Sequence, residues 1–104
     1  MVKFMGVIRL KPGYDPDETW ELWRTKHTRW YKRLAQPELK KYTINRVIKT
    51  MNESDIFGIS ESWFDDLESA ERALARFVNA PADEVLPRFQ PDRMIVEFEE
   101  VPLD

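Results

Sequence analysis

The sequence has 104 residues, 16 basic and 19 acidic, for a formal net charge of -3. That size predicts one domain, residues 1–104, while the lack of cysteine excludes disulfides, thiolate nucleophiles and zinc fingers, and a single histidine excludes a histidine-rich metal site. The charge balance argues against nucleic acid or an anionic membrane as partner, and no apolar run nears the roughly 20 residues of a membrane span.

Met1-Val2-Lys3-Phe4 runs straight into a strand pattern rather than a signal peptide, which predicts a cytoplasmic protein. The strand spans Val2 to Leu10. Val2, Phe4, Ile8 and Leu10 share one parity with Gly6, and Met5 and Val7 on the other are also apolar, so a central strand covered on both faces is expected. Lys11-Pro12-Gly13 breaks it. A helix follows from Asp15 to Gln36-Pro37. Asp15 caps it, Pro16 suits the first helical position, and Glu18 closes a capping box. Trp20, Trp23, His27, Trp30, Tyr31 and Leu34 fill an arc of about 100° on a helical wheel, with Arg24, Lys26, Arg29, Lys32 and Arg33 largely outside it.

Lys41 to Lys49 predicts a second strand, on which Tyr42, Ile44, Arg46 and Ile48 alternate with Thr43, Asn45 and Val47. After a polar turn from Met51 to Asp55, Ile56 to Phe64 predicts a third. Phe57, Ile59, Glu61 and Trp63 take one face, and Ile56, Gly58, Ser60, Ser62 and Phe64 the other. The short link predicts a hairpin. Asp65-Asp66 opens a second helix whose apolar stripe is Leu67, Ala70, Leu74, Phe77 and Val78. Asn79 to Phe89, punctuated by Pro81 and Pro87, reads as irregular or a short helical turn, and Asp92 to Val101 as the last strand.

The order β-α-β-β-α-β predicts an α+β, ferredoxin-like fold: a four-stranded antiparallel sheet with two helices on one face. The uncovered face must then meet water or a partner. A first strand this apolar on both parities predicts a dimer packed sheet to sheet.

His27 lies near the middle of the aromatic arc and so points at the sheet. An imidazole there needs a hydrogen-bond partner, because burying it unpaired costs about 1–3 kcal/mol. It is either a core histidine bonded to a backbone carbonyl or strand side chain, or a general acid/base whose near-neutral pKa suits proton transfer. Glu61, flanked by Ile59 and Trp63, orients His27 or pairs with Arg46 or Arg9 in a structural ion pair. Tyr42 offers a phenol donor and Asn45 an amide for a carbonyl or oxyanion. Trp23, Trp30, Tyr31 and Trp63 fill a core or wall a pocket for a flat apolar ligand. With only Gly6, Gly13 and Gly58 in the chain there is no Gly-rich phosphate loop, no nucleophile elbow is present, and His27 with Glu61 falls short of a metal triad, so neither cofactor nor metal is expected.

Trp20-x-x-Trp23-x-x-x-His27, then Tyr42-x-x-Asn45-Arg46-Val47, then Glu61-Ser62-Trp63-Phe64-Asp65-Asp66-Leu67-Glu68, and the closing Asp92-Arg93 before Val96-Glu97-Phe98-Glu99-Glu100 together resemble the EthD family over nearly the whole chain. The resemblance implies a dimeric α/β barrel, two sheets face to face, with a ligand cavity between each subunit's sheet and helices. It marks His27 as the family's recurring polar residue. Ser62 stands where many relatives look aliphatic. Similar small barrels include cofactor-free lactone isomerases, polyketide cyclases, anthrone-type oxygenases, and dehydratases or decarboxylases of aromatic metabolites. The expectation is a homodimeric lyase or isomerase of an aromatic or polyketide-like molecule. His27, Tyr42 and Glu61 would be catalytic, with Trp23, Trp30, Tyr31, Asn45, Arg46 and Trp63 around the substrate. The alternatives are a non-catalytic binding or accessory module and a cofactor-free oxygenase.

Overall fold

A computed structural model describes residues 1–103. The chain runs β1 (Val2–Leu10), α1 (Pro16–Leu22), a π-helical turn (Trp23–His27), α2 (Thr28–Ala35), β2 (Lys41–Arg46), β3 (Ile56–Phe64), α3 (Leu67–Val78), a 3-10 turn (Leu86–Arg88) and β4 (Phe89–Glu97). Four antiparallel strands form one sheet in the order β2-β3-β1-β4. This is the α+β, ferredoxin-like plan expected from the pattern. Among the described residues, no helix is long and apolar enough to cross a membrane.

Local chemistry sets the boundaries. Asp15 caps α1 by accepting from the Glu18 N–H at 3.2 Å, and Pro16 follows at the first helical position. The Glu18 side chain leaves the cap and pairs with Arg88 at 3.1 Å. Asp66 caps α3, accepting from Ser69 N–H at 2.8 Å, while Asp65 turns to Lys40 at 3.7 Å. β2 stops at Arg46, short of the expected Lys49. One further bond, Val47 N–H to Phe57 O at 3.0 Å, ends the pairing, and Ile48 is 94% exposed. β4 begins at Phe89, opposite Leu10, and ends at Glu97, opposite Val2, where its partner strand runs out. It is an edge strand, so Pro91 costs the ladder no internal bond.

Both helical segments pack on one face of the sheet. Ile8, Trp23, Val85 and Phe89 form one buried cluster beneath α1 and the π turn. Phe64, Ala70 and Ala73 form a second beneath α3, with Val2, Phe4 and Ile95 against it. Leu67 and Val78, expected in the α3 stripe, are 49% and 81% exposed, so the small residues Ala70 and Ala73 make the close contact. The strand alternation fails once. Ile8 faces Gly58 but Arg9 faces Ile56, which leaves Phe57 as the extra residue of a bulge. Its ring therefore packs against Trp23, centroids 5.9 Å apart, instead of joining Ile59, Glu61 and Trp63 on the far face.

Candidate active site

Thr19, Trp23, His27, Tyr31 and Ala35 are all buried, a strict spacing of four. A regular α-helix drifts about 40° over each such step, which would carry the last of them far around the helix. The π turn removes this drift. Its five residues, Trp23–His27, end with the Thr28 N–H donating to Trp23 O, and the wider turn rotates the chain back. The Thr25 hydroxyl donates to Glu21 O at 2.7 Å and the Thr28 hydroxyl to Arg24 O at 2.8 Å, so side chains meet carbonyls along the distorted stretch. As a result His27 and Trp23 both face the sheet.

Between sheet and helices lies a cavity of about 480 Å³, a size suited to a ligand of one to three rings. Its lining takes Ile8, Trp23 and Phe89 from the first buried cluster, with His27, Trp30, Tyr31, Tyr42 and Phe77 among the other walls. His27 is 6% exposed. Trp30 lies over its ring at 5.2 Å, and Phe89 meets it edge-on at 5.6 Å. The Trp30 indole N–H donates to Pro81 O at 3.2 Å.

The partner of His27 is Asp83, with Nδ1 to Oδ2 at 2.8 Å. An ionised carboxylate only accepts, so Nδ1 carries the hydrogen and Nε2 the lone pair. Among the described residues no hydrogen bond engages Nε2. Asp83 is itself fixed, because its Oδ1 accepts from the N–H groups of Val85 at 3.3 Å and Leu86 at 2.9 Å, capping the 3-10 turn. Burial pushes the His27 pKa below its ordinary value, while the charge and hydrogen bond of Asp83 pull it back up. The balance favours neutral imidazole at neutral pH.

Two phenols complete the polar side. Tyr31 and Tyr42 stack at 4.6 Å, and Tyr31 Oη bonds Ser62 Oγ at 2.7 Å. Burial raises Tyr31 to about 12, with Ser62 opposing the shift. Burial also raises Tyr42, helped by Tyr31 and opposed by a hydrogen bond from the Trp23 side chain. Both are therefore hydrogen-bond donors rather than bases.

The remaining expected site residues lie elsewhere. Glu61 cannot orient His27, because odd-numbered β3 residues beyond the bulge point to the opposite face. There Glu61 takes Lys3 Nζ at 3.0 Å and the Asn45 amide at 3.2 Å. Asn45 is on that face too, its amide also donating to Ile59 O at 2.9 Å, so it holds no oxyanion beside His27. Trp63 is excluded from the ring sandwich for the same reason and lies under the ammonium groups of Lys3 and Lys41 at 5.2 and 4.7 Å. Arg46 does face the helices, but it is tied to Asp17 and does not line the cavity. Trp20 packs edge-on against Trp23 at 5.5 Å, outside the lining. No three His, Cys, Asp or Glu side chains among the described residues converge on a metal-sized site.

Sequence reasoning missed Asp83, which sits in a loop without periodicity. A partial signal was present: a buried histidine needs a partner, and Asp83 and Glu84 are the two acidic residues of the loop between α3 and β4.

Residues 11–85 match the family model for the EthD domain. A sequence search of curated proteins finds no significant match. Among solved structures, the chain is similar to an EthD family protein from Bacillus halodurans, at 23% identity and TM-score 0.70, covering 95% of this chain and 99% of that one. It is also similar to a mutant of SnoaB, a cofactor-independent oxygenase from Streptomyces nogalater, at 14% identity and TM-score 0.64, covering 96% and 94% of the two chains. A dimeric ferredoxin-like protein from an uncultured marine organism matches at 17% identity and TM-score 0.64, covering 95% and 97%.

Proposed function

The chain belongs to the EthD family, and we propose that it is a homodimeric, cofactor-independent enzyme that moves a proton on an aromatic or polyketide-like small molecule. The proposed class is lyase or isomerase: cyclisation, dehydration or decarboxylation. The observation that carries this reading is the His27–Asp83 pair at 2.8 Å on an aromatic cavity, with the imidazole neutral and Nε2 unengaged. Nε2 takes a proton from a carbon or hydroxyl beside a carbonyl. The Asp83 carboxylate stabilises the imidazolium that forms. The Tyr42 phenol donates to the developing oxyanion, and Trp23, Trp30 and Tyr31 hold the ring. Asn45, Arg46, Glu61 and Trp63 take no part in the proton transfer. The apolar residues on the open face of the sheet, and the likeness to a dimeric ferredoxin-like protein, support the homodimer.

A thermal-shift screen of phenols, quinones and aromatic ketones identifies ligands, and turnover of each hit is then followed by mass spectrometry. His27→Ala is expected to fold and dimerise but to lose about 100-fold or more in turnover, the scale of general acid/base catalysis. Unchanged turnover removes His27 from the chemistry, and binding with no turnover in the native protein favours a non-catalytic binding module.

The same base also suits a cofactor-free oxygenase, in which deprotonating an electron-rich anthrone or hydroquinone yields an anion that reacts with dioxygen itself. Similarity of fold to SnoaB supports keeping this second reading. Oxygen uptake with such substrates separates it from a lyase.

A further inference from the structure

One rank of residues crosses the cavity floor. Ser60 pairs with Gly6 on β1, and Gly6 pairs with Arg93 on β4, so the three stand side by side on the helix-facing side of the sheet. All three line the cavity. The glycine makes the middle of the rank bare: a Cβ built at Gly6 would stand 2.8 Å from Ser60 Oγ. Neighbouring strands lie about 4.8 Å apart, so Ser60 and Arg93 flank a gap roughly two strand spacings wide, within reach of an arginine side chain leaning inward.

The polar ends of the rank are unspent. Arg93 is the one Lys or Arg among the cavity-lining residues. Arg9, Arg24, Arg46, Arg72, Arg76 and Arg88 pair with carboxylates, whereas Arg93, like Arg29 and Arg33 of α2 outside the cavity lining, pairs with no described carboxylate. The Ser60 hydroxyl likewise has no hydrogen-bond partner among the described residues, and it is not sealed from the cavity. A guanidinium and a hydroxyl on either side of a bare backbone step present hydrogen-bond donors to a small planar anion.

We propose that Ser60, Gly6 and Arg93 form a carboxylate subsite, and that the substrate is an aromatic molecule carrying a carboxylate. The carboxylate sits over Gly6, accepts from Arg93 and Ser60, and leaves the ring to the aromatic walls shared with His27. This rests on the cavity being the ligand site, as in the proposed function, and names the class of molecule that enters it.

The test is calorimetric titration of the full-length protein with 1-naphthoate and with 1-naphthamide, which share ring and size but differ in charge. The native protein is expected to bind naphthoate about 10-fold or more tightly than the amide. Arg93→Gln should abolish that preference while leaving the amide affinity unchanged. Gly6→Ala should weaken naphthoate by a similar factor, and the fold should survive because the atom in its way is a hydroxyl that can rotate. Equal affinity of the native protein for both probes overturns the subsite and leaves the cavity reading standing. A preference that persists in Arg93→Gln overturns it as well. Failure of both probes to bind overturns both readings.

Discussion

His27 is held between two opposed effects. Burial disfavours its charged form, and Asp83 favours it, with burial the larger. The pKa in the folded protein is therefore below the ordinary 6.5. Between those two values the unfolded chain binds the proton and the folded one does not. The stability associated with neutral His27 is thus fully present above about 6.5 and is lost as pH falls through the folded value. Denaturant titrations at pH 7.5 and pH 5 should show the native protein losing more stability on acidification than His27→Gln, and equal losses would contradict the assignment. Asp83→Asn removes the charge that pulls the pKa up, so the acid limb of the rate profile should move to lower pH and turnover fall by about 10-fold, part of what acid/base catalysis supplies. An unshifted limb would mean that Asp83 acts only as the cap of the Leu86–Arg88 turn. In the sequence His27 was legible through its place among Trp23, Trp30 and Tyr31. Asp83 was not, since a loop has no period to betray which side chain turns inward. Glu61 shows the complementary ambiguity: alternation groups it with Ile59 and Trp63 but cannot say which face of the sheet meets the helices.

At the scale of elements, the π turn and β3 meet at Gly58. A Cβ there would lie 2.7 Å from Trp23 Cη2 and 2.8 Å from the Asn45 carbonyl oxygen. The indole of Trp23, fully buried, rests directly on bare strand backbone. Gly58→Ala must push back either a rigid ring packed against Trp20, Phe57 and Phe89 or the neighbouring strand itself. Overpacking of this kind costs about 1–3 kcal/mol, and equilibrium urea unfolding should show a loss in that range. Gly6→Ala meets only a rotatable hydroxyl and should lie well below it. Equal effects at the two positions would mean that Trp23 yields freely and does not anchor the π turn. The strand pattern correctly located β1 and β3, because period-two alternation is local. The π turn was invisible to the same logic. Trp20 and Trp30 fit a regular helical arc well enough to hide that Thr19, Trp23, His27, Tyr31 and Ala35 are the residues truly buried.

For the whole molecule, the open face of the sheet poses the remaining question. Met5 and Val7 on β1, Ile59 and Trp63 on β3, and Met94 and Val96 on β4 share it. Lys3 and Glu61 pair on it at 3.0 Å with side chains only 18% and 22% exposed, and the Thr43 hydroxyl is buried there without a partner. A face with this much apolar surface, its Lys3 and Glu61 charges paired with each other, suits a second copy of the same sheet better than water. The central position of β1 was readable from its two apolar parities, and the open face explains the second of them. The expected outcome is a dimer in sedimentation velocity at micromolar concentration, with a melting temperature that rises with protein concentration. Val7→Lys probes the face with little harm to the subunit, since Val7 lies directly opposite Asp92, which can accept the new ammonium. In a sheet-to-sheet dimer that charge is brought under the partner, and desolvating it should weaken association by about 100-fold or more. Arg29→Glu, on the exposed side of α2, serves as the control and should leave the dimer intact. A native protein that sediments as a monomer, or a Val7→Lys variant as dimeric as the native one, would place the interface elsewhere.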